Sequence, residues 1–241
     1  MKSSRFSPPR VFQTVGSTND VAASLPVGSV VVADAQTGGR GRRGHTWFSP
    51  PRAGLYVSVV LAPAAARVDP RRATSLLTLA AGVAIAEGVG VATGLAVDLK
   101  WPNDLLVSRR KLAGILAENH GDTVVLGYGI NVGATAFPPE LGDRATSLES
   151  ELGREVDREQ VLAATLAALE RRYDDLVDGR FDAILDAWRR LAPGASGARV
   201  TWTTTAGAES GVTAGVDEHG ALLVRVADRI ERILSGEVNW L

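Results

Sequence analysis

The sequence predicts an α+β fold in which a mixed or antiparallel sheet is flanked by helices and followed by a small β unit. Three observations predict it. Residues 96–100, 104–108, 111–118 and 123–131 are strand-like runs whose connections are only a few residues long, and connections that short make hairpins rather than parallel crossovers. Residues 70–88 place Leu76, Leu77, Leu79, Ala80, Val83, Ala84 and Ile85 on one wide helical stripe, the pattern of a central buried helix. Beyond residues 193–197, rich in proline and glycine, only short strand patterns remain.

In chain order, residues 10–13 form an extended entry, and Ser17-Thr18-Asn19-Asp20 is a helix-start signal ahead of Val21-Ala22-Ala23. Residues 28–33 read as a buried strand. Residues 36–52 mix glycine, arginine and proline without periodicity and form a long loop, and 54–62 is the next strand. After the helix over 70–88, Arg109-Arg110 and Gly121-Asp122 are read as hairpin turns. A short helix is expected over 146–151 and amphipathic helices over 157–177 and 181–191, the first with Val161, Leu162, Leu166 and Leu169 on its stripe. Residues 193–197 are the linker candidate. Strands at 199–202, 211–216, 222–226 and 231–234 surround the turn Glu218-His219-Gly220. The expected division is a larger domain over residues 1–195 and a β domain over 196–241, small enough to need docking on the first.

Composition bounds the chemistry. With 45% hydrophobic and 22% charged residues the chain is ordinary globular protein. Twenty-six Lys and Arg against 27 Asp and Glu give a formal charge of −1, so any anion site has to be local. Zero cysteines exclude disulfides, thiolate nucleophiles and Cys-bound zinc, and three histidines are too scattered for a metal cluster. The N-terminus carries no apolar leader, and no uninterrupted apolar run is long enough to span a bilayer, so a cytoplasmic protein is expected. Too few residues precede the first motif to hold a DNA-reading domain.

No acidic residue lies between Asp34 and Asp69, whereas Arg40, Arg42, Arg43 and Arg52 all fall there. The run Gly39-Arg40-Gly41-Arg42-Arg43-Gly44 satisfies G-x-G-x-x-G, but Thr46-Trp47-Phe48-Ser49-Pro50-Pro51 cannot open the helix that a dinucleotide fingerprint requires. What the run can do is bring backbone N–H groups and guanidinium forks to an anion such as a triphosphate. Its like charges predict a loop that is mobile when free and ordered on an anionic ligand. A solvated basic loop is the alternative.

A second cluster is Lys100-Trp101-Pro102-Asn103-Asp104 with Arg110-Lys111-Leu112-Ala113-Gly114-Ile115-Leu116. Lys111 opens an apolar strand, where an ammonium needs an anionic partner. Lys100, Asn103 and Asp104 read either as phosphate and Mg²⁺ groups or as a turn-stabilising set. Gly127-Tyr128-Gly129-Ile130-Asn131 exposes Asn131 or simply turns. Ser17-Thr18-Asn19 is a helix cap or a set of donors for a polar ligand. No serine–histidine–acid set and no paired carboxylates point to hydrolysis, so the chemistry is one in which the protein positions phosphates and offsets developing charge.

Together these motifs, with Gln36 and the later Ser235-Gly236-Glu237-Val238, resemble those of the biotin protein ligases in order and spacing over nearly the whole chain. The resemblance implies a class II synthetase-like catalytic domain and a small C-terminal β-barrel-like domain. It also implies two steps: biotin and MgATP give biotinyl-5′-AMP, and biotin then passes to a lysine of a carrier domain of acetyl-CoA or a related acyl-CoA carboxylase. By the same resemblance Ser17, Thr18, Asn19, Gln36, Gly39, Arg40, Gly41, Arg42, Lys111 and Gly114 hold biotin. Arg40, Arg42, Arg43, Trp47, Lys100, Asn103, Lys111 and Asn131 hold ATP, with Trp47 over the adenine and Mg²⁺ carried by the phosphates rather than by protein ligands. Lys111, Arg42 and Asp104 are the catalytic candidates, Asp104 toward the incoming lysine. The Arg-Gly loop is expected to act as a lid over the acyl-adenylate. Family members with an N-terminal winged helix-turn-helix are also repressors. This chain starts almost at the catalytic motifs, so the expectation is a monofunctional ligase that binds no DNA and no membrane, as a monomer or weak homodimer. Lipoate ligation, a nucleic-acid module built on Arg40 to Arg52, and a noncatalytic biotin-binding protein are the other readings weighed.

Overall fold

The computed structural model describes residues 4–204 and 207–241, so part of the N-terminal stretch read as lacking an apolar leader, residues 1–3, lies outside it. Its elements are β1 (Arg10–Val15), α1 (Thr18–Ala22), β2 (Val30–Gln36), β3 (Gly54–Leu61), α2 (Pro70–Thr93), β4 (Asp98–Lys100), β5 (Asp104–Val107), β6 (Arg110–His120), β7 (Thr123–Asn131), α3 (Leu148–Leu152), α4 (Arg158–Val177), α5 (Phe181–Leu191), β8 (Ser196–Thr204), β9 (Gly207–Val216), β10 (Leu222–Val226), β11 (Arg229–Ile233) and β12 (Val238–Trp240). Seven strands form one sheet in the order β1-β2-β3-β7-β6-β5-β4, and five form a second in the order β11-β10-β9-β8-β12. The first sheet is mixed, because α1 carries the chain from β1 to a parallel β2 while every other pairing is antiparallel.

The two faces of the large sheet have different cover. Leu55, Val57, Val59 and Leu61 of β3 and Leu126, Tyr128 and Ile130 of β7 point to one face, where they pack with Leu76, Ala80, Val83 and Ile85 of α2 and with Leu169 and Trp188 of α4 and α5. Val31, Val60 and Val125 point the other way and pack against Ala22 at the end of α1. Strand alternation assigns these faces.

The helix over α2 runs past its expected end. Gly88 and Gly90 do not stop it, because Gly88 lies directly on the Thr165 backbone of α4, and tertiary packing outweighs glycine's weak intrinsic cost. It ends at Gly94, in the left-handed region at φ 77°. By length and composition α2 passes for a membrane span, yet 67% of its most apolar window is buried within the fold.

Three details differ from expectation. The hairpin between β5 and β6 turns on Ser108 and Arg109 (φ 50° and 65°), one residue earlier than read, since a two-residue primed turn needs positive φ at both positions and Arg110 already pairs with Val107. Residues 193–197 are no open linker: Pro193–Ala195 is a single 3-10 turn with Ala195 buried, and β8 starts at Ser196. Gly194 is there because Trp240 packs where a Cβ would sit. β12, too short to show a pattern, was not legible.

Candidate functional site

Along β7 the alternation that sends Tyr128 and Ile130 into the core leaves Gly127 and Gly129 on the opposite face. Neither has room for a side chain: a Cβ on Gly127 would strike the Asn19 carboxamide, and one on Gly129 would strike the indole of Trp47. Gly114, paired with Gly129 in the β6–β7 register, lies under the same indole. These glycines floor a cavity of about 500 Å³.

One part of its wall is neutral and polar. Ser17 precedes α1 without making a side-chain cap bond, and its side chain lines the cavity. The Gln36 Oε1 accepts hydrogen bonds from Thr18 N at 2.8 Å and Thr18 Oγ1 at 3.1 Å, while its Nε2 donates to Ser49 Oγ at 2.9 Å. Buried Ser58 Oγ lies 2.8 Å from Thr18 Oγ1 and 2.6 Å from Asn19 Oδ1, with one hydroxyl proton to donate between them.

The other part is cationic and depends on a bulge. Between Leu105 and Leu106 the β5–β6 register shifts, pairing Leu105 with Ala113 but Leu106 with Lys111, so Leu112 is the extra residue. Leu112, Ala113 and Ile115 enter the core, and Lys111 and Gly114 both reach the cavity. Without the bulge strict alternation would put Lys111 on the face of Ala113. Its ammonium lies 2.6 Å from Asp104 Oδ1 and 5.5 Å from the Trp47 ring centroid. Backbone bonds to residues 144–146 fix the strand start: Lys111 N donates to Arg144 O at 2.8 Å and Thr146 N to Lys111 O at 2.9 Å.

Asn103 is tied to β6 through its Nδ2 to Ile115 O at 2.8 Å, and its Oδ1 accepts from Arg42 Nη1 at 3.2 Å. The same Arg42 nitrogen reaches Gly236 O at 3.5 Å, on the segment between β11 and β12. Burial lowers the Arg42 pKa from its ordinary value and Arg43 lowers it further, against the attraction of Asp104. Among the described residues no ion pair neutralises that guanidinium. Lys100 also lines the cavity, with its ammonium 5.5 Å from the Trp240 ring centroid.

The structure thus brings Ser17, Thr18, Asn19, Gln36, Arg40, Gly41, Arg42, Arg43, Trp47, Lys100, Asn103, Asp104, Lys111 and Gly114 to one cavity. Gly39 and Asn131 do not line it. Gly39 is needed because the Trp47 carbonyl, Ser49 and the Gln36 amide crowd the place of its Cβ. Asn131 is buried and donates to Thr146 O at 3.0 Å, which makes it part of the support under Lys111. Arg40 lines the cavity with its fork already taken, by Asp20 (2.9 and 2.7 Å) and Glu118 (3.1 Å), which hold its pKa well above the usual value. The loop is closed on itself, with Gly41 N donating to His45 O at 2.7 Å and Trp47 N to Gly39 O at 2.9 Å. Acids from α1 and β6 balance Arg40, so this closed form needs no ligand anion for that charge. Ser58, Glu118 and Arg144 were missed in the sequence, and Asp20 was read only as part of a helix start. For Glu118 the one trace was its position at the end of an apolar run.

Residues 11–134 match the Biotin/lipoate A/B protein ligase family, and residues 195–239 match the Biotin protein ligase C terminal domain. The chain belongs to that family. A biotin–acetyl-CoA-carboxylase ligase of Mycobacterium tuberculosis is 35% identical over 96% of this chain and 88% of its own length, and one of Paracoccus denitrificans is 35% identical over 87% and 90%. A biotin protein ligase of Aquifex aeolicus, solved with biotin and ATP, superposes with a TM-score of 0.86 at 30% identity, covering 98% of this chain and 99% of that one. The branch of the family to which the chain belongs is that of the biotin protein ligases.

Proposed function

We propose that the chain activates biotin with ATP to biotinyl-5′-AMP and pyrophosphate, then transfers the biotinyl group to a lysine ε-amine of a carboxylase carrier domain, releasing AMP. The observation that carries this reading is the joining, in one cavity, of the neutral polar wall at Ser17, Thr18, Asn19 and Gln36 to the cations Arg42, Arg43, Lys100 and Lys111 across a glycine floor. The neutral wall suits a ureido ring, which has both donors and an acceptor and no charge. The cationic wall suits a carboxylate and a triphosphate brought together.

In the first step a carboxylate oxygen attacks the α-phosphorus and the bond to pyrophosphate breaks. Two anions have to approach, so Lys111 and Arg42 act by offsetting their repulsion and the charge that develops between them. Asn103 fixes the Arg42 fork, and the bonds to residues 144–146 fix Lys111, so little reorganisation is needed. Trp47, wedged on Gly114 and Gly129, screens this region from water, which would hydrolyse a mixed anhydride. In the second step an uncharged amine attacks the acyl carbon and AMP leaves. Asp104 is proposed to orient that amine, although its first partner is Lys111.

Among the described residues no group of three or more His, Asp or Glu side chains is placed to hold a metal ion. Mg²⁺ is proposed to enter on the ATP phosphates, whose oxygens are the hard anionic ligands it takes. The chain is further proposed to work in the cytoplasm and to divide at residues 195 and 196, where the smaller sheet starts. That sheet is linked to the site through Arg42 and Gly236 and through Trp101 Nε1 donating to Gly220 O at 3.0 Å.

Pyrophosphate exchange into ATP, measured with Mg²⁺ and biotin beside lipoate and acid-free controls, tests the reading without any carrier. Exchange with biotin alone is expected. Exchange with lipoate alone, or with neither acid in folded protein, overturns it.

A further inference from the structure

Glu118 stands outside every motif that pointed to the site, yet it bonds two of the site's residues at once. Its Oε2 accepts from Asn19 Nδ2 at 2.5 Å and from Arg40 Nη2 at 3.1 Å. A carboxylate cannot donate, so the Asn19 atom facing it is the amide nitrogen, and the Asn19 oxygen is left facing Ser58 Oγ at 2.6 Å. Asn19 is thereby fixed at both ends, and it is one of the buried polar residues of the cavity wall. Through the same oxygen Glu118 completes the enclosure of the Arg40 fork begun by Asp20. Since Arg40 also bridges to Thr46, holding its guanidinium holds the loop.

We propose that Glu118 is a positioning residue for the adenylation reaction: one carboxylate orients the Asn19 amide in the neutral wall and, with Asp20, latches the Arg40 loop against β6 and α1. The proposal rests on the reading of this cavity as the biotin-activating site. Its logic is one of charge. Two carboxylates on one guanidinium leave that corner net negative, which turns a carboxylate or phosphate away from it and toward Arg42 and Lys111. An ordinary exposed ion pair contributes little. Here the second partner is a buried amide whose N–H loses its acceptor if Glu118 is removed.

Three variants separate the two tasks. Glu118→Ala removes both, Glu118→Gln keeps the shared acceptor oxygen but removes the charge that holds Arg40, and Asp20→Asn weakens the latch alone. Two readouts are used: trypsin cleavage after Arg40, Arg42 and Arg43 in ligand-free protein, and KM for biotin against kcat in the exchange assay. Cleavage is expected to quicken several-fold in all three variants. The biotin KM is expected to rise about ten-fold or more in Glu118→Ala, with kcat changed less, and to be largely rescued in Glu118→Gln. Wild-type cleavage in Glu118→Gln and Asp20→Asn overturns the latch, even if Glu118→Ala fails to fold. A Glu118→Ala protein that loses melting temperature and kcat together at unchanged KM is only destabilised, and overturns the positioning role. A wild-type protein with no biotin-dependent exchange defeats the reading of the site instead, while the proteolysis still decides the latch.

Discussion

The ammonium of Lys111 and the carboxylate of Asp104 lie 2.6 Å apart across the β5–β6 hairpin, beside the bulge that turns Lys111 into the cavity. The pair holds the cation in place and gives it a counter-ion to exchange for a substrate anion. Lys111→Ala is expected to lower biotin-dependent pyrophosphate exchange by about a hundred-fold or more, with little change in melting temperature, because the side chain is partly exposed rather than core. Near-normal exchange would remove Lys111 from the chemistry.

Asp104→Asn separates two roles. If the carboxylate only holds Lys111, exchange and transfer to the carrier fall by the same factor. If it also orients the acceptor amine, the transfer half-reaction, started from preformed biotinyl-adenylate, falls further. The second result is expected.

Arg42 binds Asn103 and the backbone at Gly236, so it connects the loop to both sheets. Arg42→Gly is expected to release biotinyl-adenylate several-fold faster and to biotinylate bystander lysines. Equal release by wild type and variant would contradict the lid.

The Trp47 Nε1 is the one buried side-chain nitrogen or oxygen without a hydrogen-bond partner among the described residues, a state that costs about 1–3 kcal/mol. Its indole is held there by shape. Gly129→Ala puts a methyl where the indole lies and is expected to push it outward, with a red-shifted tryptophan emission and weakened biotin binding. An unchanged spectrum and affinity would mean that the seat tolerates the methyl.

Two substitutions test the frame. Gly88→Ala drives a Cβ into the Thr165 backbone and is expected to cost about 1–3 kcal/mol by overpacking, read as a lower thermal midpoint. Asp217 is pushed up by burial but held below the usual carboxylate range overall by Arg232 and the N–H groups of Ala221 and His219. A depressed folded pKa stabilises above the unfolded value, about 4, and that contribution fades as pH falls below it. Asp217→Asn is therefore expected to lower stability near neutral pH and to flatten its decline in acid. A wild-type acid profile in the variant would show that Asp217 is not the group responsible.

What the sequence determined by itself was local. The bounds of α5 and β7 were legible to the residue, because a 3.6-residue stripe and a two-residue alternation between turn signals are properties of neighbouring positions. The motifs of the cavity were legible because their order and spacing along the chain resemble those of a known family; read one at a time, each kept a plain structural alternative. The balance of charge was not. The sequence showed no acid between Asp34 and Asp69 and so predicted a self-repelling loop, whereas folding brings Asp20 and Glu118 to Arg40 from α1 and from a strand nearly eighty positions away. The same holds for Asn131, which the pattern exposes and the fold spends on Thr146. Lys111 reaches the cavity only because one extra residue in β6 changes which face it shares. Hydrogen bonds and ion pairs act over about 3 Å of space with no regard for sequence separation, so where these residues point was decided only when the sheets and helices had packed.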